Sequence, residues 1–140
     1  MLPRGIRNNN PLNIRRGKDQ WQGLKAQQTD AQFCQFESLE YGWRAAFYLL
    51  TRTYYHKYRL YTIRSIINKW APPSENQTSK YIENVCRLTG IALDEPIGIP
   101  SDQPQRWMAV GLAMAIQENG TESLDYFAML RGWGMVRDLA

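Results

Sequence analysis

The sequence predicts a mostly helical α+β fold, with helices from about residue 39 onward and a small three-stranded β-sheet at the N-terminal end. Three observations carry this. From Trp43 onward apolar residues recur at steps of three and four, the period of an amphipathic helix. Before residue 39 that period is absent, and short segments alternate or break at Asn and Gly. No internal repeat or low-complexity linker divides the 140 residues, so residues 1–140 are expected to form a single domain.

The elements follow in order. "NPLNIRR" and "WQGL" read as two short strands joined through Gly17, Lys18 and Asp19, and "AQFCQF" as a third. A sheet this small needs helices packed on it. Trp43, Phe47, Leu50 and Tyr54 then share one face of a first long helix. A second carries Ile63, Ile66, Ile67 and Trp70 and stops at "APP", because proline cannot continue the hydrogen-bond ladder. Ser74 and Gln77 have the spacing of a capping box that opens a third helix, with Tyr81, Val85 and Leu88 inward and Gly90 as its stop. After a Pro/Gly-containing loop over 91–101, a fourth helix starts near Ser101 with Pro104 in its first turn. From Trp107 to Ile116 it is apolar nearly all round, interrupted by Gly111, as expected of a central helix surrounded by the others. A last helix is expected from about Glu122, with Tyr126, Phe127 and Leu130 as its apolar residues.

Composition narrows the chemistry. Hydrophobic residues make up 44% and charged residues 21%, an ordinary globular balance with no apolar run long enough for a membrane span. The opening "MLPRGIRNNN" is too polar for a signal peptide, so cytoplasmic synthesis is expected. The single histidine, His56, has no carboxylates or cysteines beside it, so neither a zinc site nor a Ser-His or Cys-His nucleophile is expected. No cofactor is implied. Cys34 and Cys86 belong to no CxxC pair and are expected as reduced, buried thiols, with a disulfide between them left open. The net charge of +4 suits an anionic polymer, either nucleic acid or cell wall. "RGIRNNNPLNIRRGK" carries four arginines and a lysine but no recognised nucleic-acid motif, and nucleic acid ranks last as a partner.

One carboxylate stands out. In "MAVGLAMAIQENG" the apolar helix runs into Glu118 and stops at Gly120. Gly111, Met114 and Ala115 lie seven, four and three residues before Glu118 and share its face. A carboxyl that continues an apolar stripe is partly desolvated, and desolvation favours its protonated form. A glycosidase general acid needs that property.

"AMAIQENG" resembles the catalytic-helix ending of lysozyme-like lytic transglycosylases and goose-type lysozymes, where an apolar helix ends on Glu followed by a small residue and glycine. The stretch "NNNPLNIRRG…WQGL…FCQFESLEYGWRAAFYLL", residues 8–50, is similar to bacterial N-acetylglucosaminidase domains of the same superfamily. The chain as a whole resembles small phage and prophage proteins carrying "RGIRNNNPxNI" and "WAPPSENQTSKY". In the superfamily the catalytic Glu precedes the Asn-rich stretch, whereas here seven residues precede Asn8 and none is acidic. A circular permutation of a lysozyme-like core would reconcile the two, with the helix ending at Glu118 packed against the Asn-rich segment.

The resemblance implies a peptidoglycan-cleaving enzyme with Glu118 as general acid and Glu37 as a candidate second carboxylate. Glu40 fits the first turn of a helix, where negative charge is favoured, and Glu75 a cap region. Asn10 and Asn13 could line a sugar cleft or serve turn chemistry. Trp21 could stack on a sugar or pack inside. Tyr81 could position substrate or belong to the core, and Asn119, beside the acid, joins the substrate-binding set. Trp43, Trp70 and Trp107 read as core. The partners implied are peptidoglycan glycan strands and phage virion proteins, at the cell wall or in a virion. A non-catalytic structural or wall-binding protein on the same scaffold is the competing expectation.

Overall fold

The periodic face Trp43, Phe47, Leu50 and Tyr54 forms as the spacing predicts, and all four side chains are buried. The structure is a computed structural model and describes residues 2–74 and 76–136. After a single turn, α1 (Arg4–Arg7), come α2 (Leu39–Tyr48), a π-helical continuation (Leu49–Lys57), α3 (Ile63–Trp70), α4 (Thr78–Thr89), α5 (Pro104–Asn119) and α6 (Tyr126–Met135). The π-helical stretch closes wider turns, as in the 3.0 Å bond from the Tyr58 N–H to the Thr53 carbonyl. Such widening is rare and frequently accompanies functional sites.

The helical class is as expected, but the three-stranded sheet is not there. Among the described residues the N-terminal region makes only isolated β-bridges, Arg15 with Phe33 and Leu24 with Phe36. Side chains take the backbone groups that a ladder would have used. Asn10 donates to the carbonyls of Ile14 and Cys34 at 3.0 and 2.9 Å and accepts from the Ile14 N–H at 2.9 Å. Asp30 accepts from the N–H groups of Gln32 and Phe33, and Gln35 from that of Thr29. Asn9 and Asn13, both at φ 53, turn the chain where a strand would have to run straight. Local side-chain bonding wins over ladder formation.

Smaller expectations shift too. The capping box falls on Thr62 and Ser65 rather than on Ser74 and Gln77; Gln77 precedes α4 with no side-chain bond. Pro104 is the first residue of α5, where its missing N–H costs nothing. Helix α6 begins at Tyr126, capped by Asp125, which accepts from the Ala128 N–H at 3.0 Å. Its buried residues are Ala128, Met129 and Gly132, while Tyr126, Phe127 and Leu130 are exposed, as Leu88 is on α4. Cys34 is buried and Cys86 half-buried, and both are free thiols. Among the described residues no helix is long and apolar enough to cross a membrane.

Helix α5 is central, touching α1, α2, the π-helical segment, α4 and α6. Its Gly111 lets the Phe47 ring approach, since a Cβ there would stand 2.6 Å from Phe47 Cε1. The main core gathers Trp43, Phe47, Ile66, Val85, Trp107 and Met114, and a smaller cluster of Ile14, Cys34, Phe36 and Ala45 secures the N-terminal region. That region is also held by charge. Arg4 grips Asp30 with two bonds of 2.8 and 2.7 Å, and Asn8 donates to Asp30 at 3.0 Å.

The Arg4 guanidinium and these N–H donors hold the Asp30 carboxyl far below the usual carboxylate range. The stability this confers is complete above the unfolded carboxyl value, about 3.9, and is lost as pH falls through that value and below. Asp94 and Glu95 are held down by Arg64 and Arg106 and act in the same direction. The thermal midpoint is therefore expected to stay level at neutral pH and to drop below about pH 4. In Asp30→Asn it should be lower at pH 7 and fall less on acidification. An Asp30→Asn melting curve equal to wild type at neutral pH would show that the clamp contributes nothing.

Candidate functional site around Glu118

Gly120, at φ 66, caps α5 and leaves Glu118 in its last turn, half-buried. Three donors from distant parts of the chain converge on its carboxylate. Asn13 Nδ2 donates to Oε1 at 3.1 Å. Trp70 Nε1 and the Tyr81 hydroxyl both donate to Oε2, at 3.3 and 3.0 Å. Oε2 thus uses both lone pairs, while Oε1 keeps one for a proton or a substrate.

Each donor has a reason to be there. Asn13 stands in the left-handed turn that follows the buried loop over 8–12, and the Asn119 side chain fastens that loop to α5 by donating to the Pro11 carbonyl at 2.9 Å. Trp70 ends α3 and Tyr81 lies in the first turn of α4. The buried Thr78 hydroxyl donates to the Ala71 carbonyl and joins the end of α3 to the start of α4. Burial and the adjacent Glu118 carboxylate push the Tyr81 hydroxyl well above the usual phenol range, so it remains a neutral donor. The Asn13 and Asn119 side-chain carbonyls find no donor among the described residues. Both abut Gly5, where a Cβ would stand 3.0 and 2.5 Å from them, so a side chain at position 5 would push this loop off α5.

Glu118 borders two depressions. One, of about 390 Å³, has Asn13, Arg15, Phe33, Tyr54, Trp70 and Asn76 in its walls; the other, of about 220 Å³, has Asn76, Lys80, Tyr81 and Gln117. Asn76 and Glu118 border both, so the two depressions adjoin at this carboxylate. Burial pushes the Tyr54 hydroxyl in this wall up to about 12.

Of the residues singled out from sequence, Glu118, Asn13 and Tyr81 come together, and the others do not. Asn10 is fully buried with both ends of its amide bonded to backbone, so it shapes the loop and cannot meet a ligand. Asn119 is buried and spends its amide nitrogen on the carbonyls of Pro11 and Ala115, while its side-chain carbonyl faces Gly5 inside the fold. Glu37 is exposed and stands outside the walls of the Glu118 groove. Trp21 packs edge-to-face on Tyr48, 5.8 Å between ring centres, and lines a different depression. Glu40 is in the first turn of α2 and accepts from Arg131 at 3.3 Å. Glu75 lies outside the described residues.

Trp70 packs against both hydrophobic clusters, as its core reading expects, but it also has a role that sequence reasoning missed. It reads as core because it continues the apolar face of α3, and its ring does pack on Tyr54. Its indole N–H, however, needs a partner once the ring is half-buried, and Glu118 supplies it. The signal available in sequence was position: a tryptophan in the last turn before "APP" has one edge beyond the helix end.

No protein-family model matches the chain. Over 136 residues it is 40% identical to Protein P5 of Pseudoalteromonas phage PM2, covering 94% of this chain and 81% of that protein.

Proposed function

We propose that this chain, which belongs to the family of phage PM2 Protein P5, is a peptidoglycan-cleaving glycosidase of lytic transglycosylase or muramidase type. The observation that carries the proposal is the Glu118 carboxyl at the end of an apolar helix, held by Asn13, Trp70 and Tyr81 where two depressions adjoin. A polymer must extend past the acid on both sides of the bond to be cut, and the two depressions that adjoin at Glu118 support this reading. Glu118 Oε1 gives its proton to the glycosidic oxygen between N-acetylmuramic acid and N-acetylglucosamine as an oxocarbenium-like transition state develops. As the bond from the muramic acid C1 to that oxygen breaks, the muramic acid 6-hydroxyl closes a 1,6-anhydro ring, or water adds to give a reducing end, and the attacking group returns its proton to the Glu118 carboxylate. Arg15, at the groove rim with its guanidinium over Phe33, offers a cation to the lactyl carboxylate of muramic acid. The juxtaposition of the Asn-rich loop with the end of α5 supports the permuted lysozyme-like reading.

One competing reading, a non-catalytic phage structural or wall-binding protein on the same scaffold, fits a phage relative equally well. Digestion of purified sacculi, read by mass spectrometry, separates them. Anhydro- or reducing muropeptides released by the wild-type chain are expected, and the end group names the reaction. Sacculi bound but left intact after prolonged incubation would replace the enzyme with the wall-binding protein.

A further inference from the structure

We infer that a basic depression on α2 and its π-helical continuation is a subsite for the carboxylates of the peptide stems that branch from a peptidoglycan strand. The inference rests on the peptidoglycan reading above and extends it from the glycan to its side branches.

The depression holds about 680 Å³ and takes Arg44, Arg52 and Lys57 into its walls, against a single carboxylate, Asp19, among the described residues. Arg44, Tyr48 and Arg52 stand at steps of four. The Arg44 guanidinium lies 5.9 Å from the centre of the Tyr48 ring, and Lys57 Nζ lies 5.7 Å from that of Tyr58. Arg4, Arg64, Arg106 and Arg131 are each matched to a carboxylate. Arg44 and Lys57 enter no ion pair among the described residues. Cations gathered in one concavity raise the local potential for an anion and repel one another without one.

Its position names the anion. Leu49 belongs to the walls of both this depression and the Glu118 groove. The Tyr58 ring packs 6.1 Å from that of Tyr54, which itself lines the groove. A strand lying along Glu118 would direct a branch over this ridge. Peptide stems carry carboxylates together with an amine, and a wall that offers Arg44 and Lys57 as cations beside the Asp19 carboxylate matches that mixture.

The test measures binding in the Glu118→Gln background, so that the sacculus survives the assay. Affinity for intact sacculi is compared with affinity for glycan stripped of its stems by an amidase. Adding Arg44→Glu and Lys57→Glu together should weaken binding to intact sacculi about tenfold and leave stripped glycan unchanged. Arg44→Gln with Lys57→Gln should lose less, and circular dichroism with a thermal midpoint confirms that each variant is folded. Equal losses on both substrates, or no loss on intact sacculi, would overturn the subsite. So would a loss confined to duplex DNA at roughly physiological salt, which would make the patch a nucleic-acid contact. The binding readout does not depend on cleavage. A wild-type chain that never cuts would overturn the glycosidase reading alone, and a chain that does not bind sacculi would overturn both.

Discussion

Glu118→Gln is expected to abolish release of soluble muropeptides while leaving the chain folded. The substitution keeps the side chain's shape and removes the proton that the leaving oxygen needs. General acid catalysis contributes about 10²- to 10⁴-fold, so a fall of at least 100-fold in kcat is expected, with KM little changed. Folding should suffer by only about 1 kcal/mol, because the amide oxygen can accept from Trp70 and Tyr81 while the amide nitrogen cannot accept from Asn13 as the carboxylate Oε1 does. Tyr81→Phe is the graded companion. It retains the buried ring and removes one 3.0 Å bond to Oε2, so kcat should drop roughly tenfold with KM nearly constant. Full activity in Glu118→Gln, measured on a folded protein, would remove Glu118 from the mechanism.

The second large effect lies away from the groove. Gly42→Ala should lower stability by about 2–3 kcal/mol or more, whereas glycine to alanine inside a helix ordinarily raises it by up to ~1 kcal/mol. The reason is contact with backbone. A Cβ at Gly42 would stand 1.9 Å from the Asn9 carbonyl oxygen and 2.9 Å from Pro11 Cδ, and neither can rotate away. The loop that carries Asn13 must lift, so activity should fall further than the loss of folded protein explains. A midpoint lowered by roughly 5–10 °C is expected for a chain of this length. Gly134→Ala on α6, where a new methyl meets nothing within 4 Å, is the control and should leave the midpoint unchanged or slightly higher. If both variants melt together, the close approach of the loop to α2 is not a constraint.

Both predictions join residues that the sequence holds far apart, and this marks how much of the protein could be read in advance. The helices were legible because their cause is local. Trp43, Phe47, Leu50 and Tyr54 declare a buried face by their spacing, Pro104 and Gly120 mark the ends of α5, and Gly90 closes α4 with φ 74. Glu118 was legible for the same reason, as the charge that interrupts an apolar helix just before its cap. The N-terminal segment misled because alternation alone does not build a strand. There the amides of Asn10 and Gln35 and the carboxylate of Asp30 compete for the backbone, and they win because each bond closes a short loop.

On α6 the large residues Tyr126, Phe127 and Leu130 are exposed, whereas Ala128, Met129 and Gly132 are buried, and a Cβ at Gly132 would stand 2.9 Å from the Glu40 carbonyl oxygen of α2. Size, which sequence reading weighs as hydrophobicity, yields here to the close spacing of two helices. The partners of Glu118 were decided by tertiary structure alone. Asn13, Trp70 and Tyr81 stand 105, 48 and 37 residues from it, and each has a sufficient local role in a turn or a helix face. The sequence by itself determined which segments are helical and where the carboxylate sits, since those follow from periodicity and caps. Which donors meet that carboxylate depends on how α3, α4 and the Asn-rich loop pack around the end of α5, a long-range choice that no local pattern records.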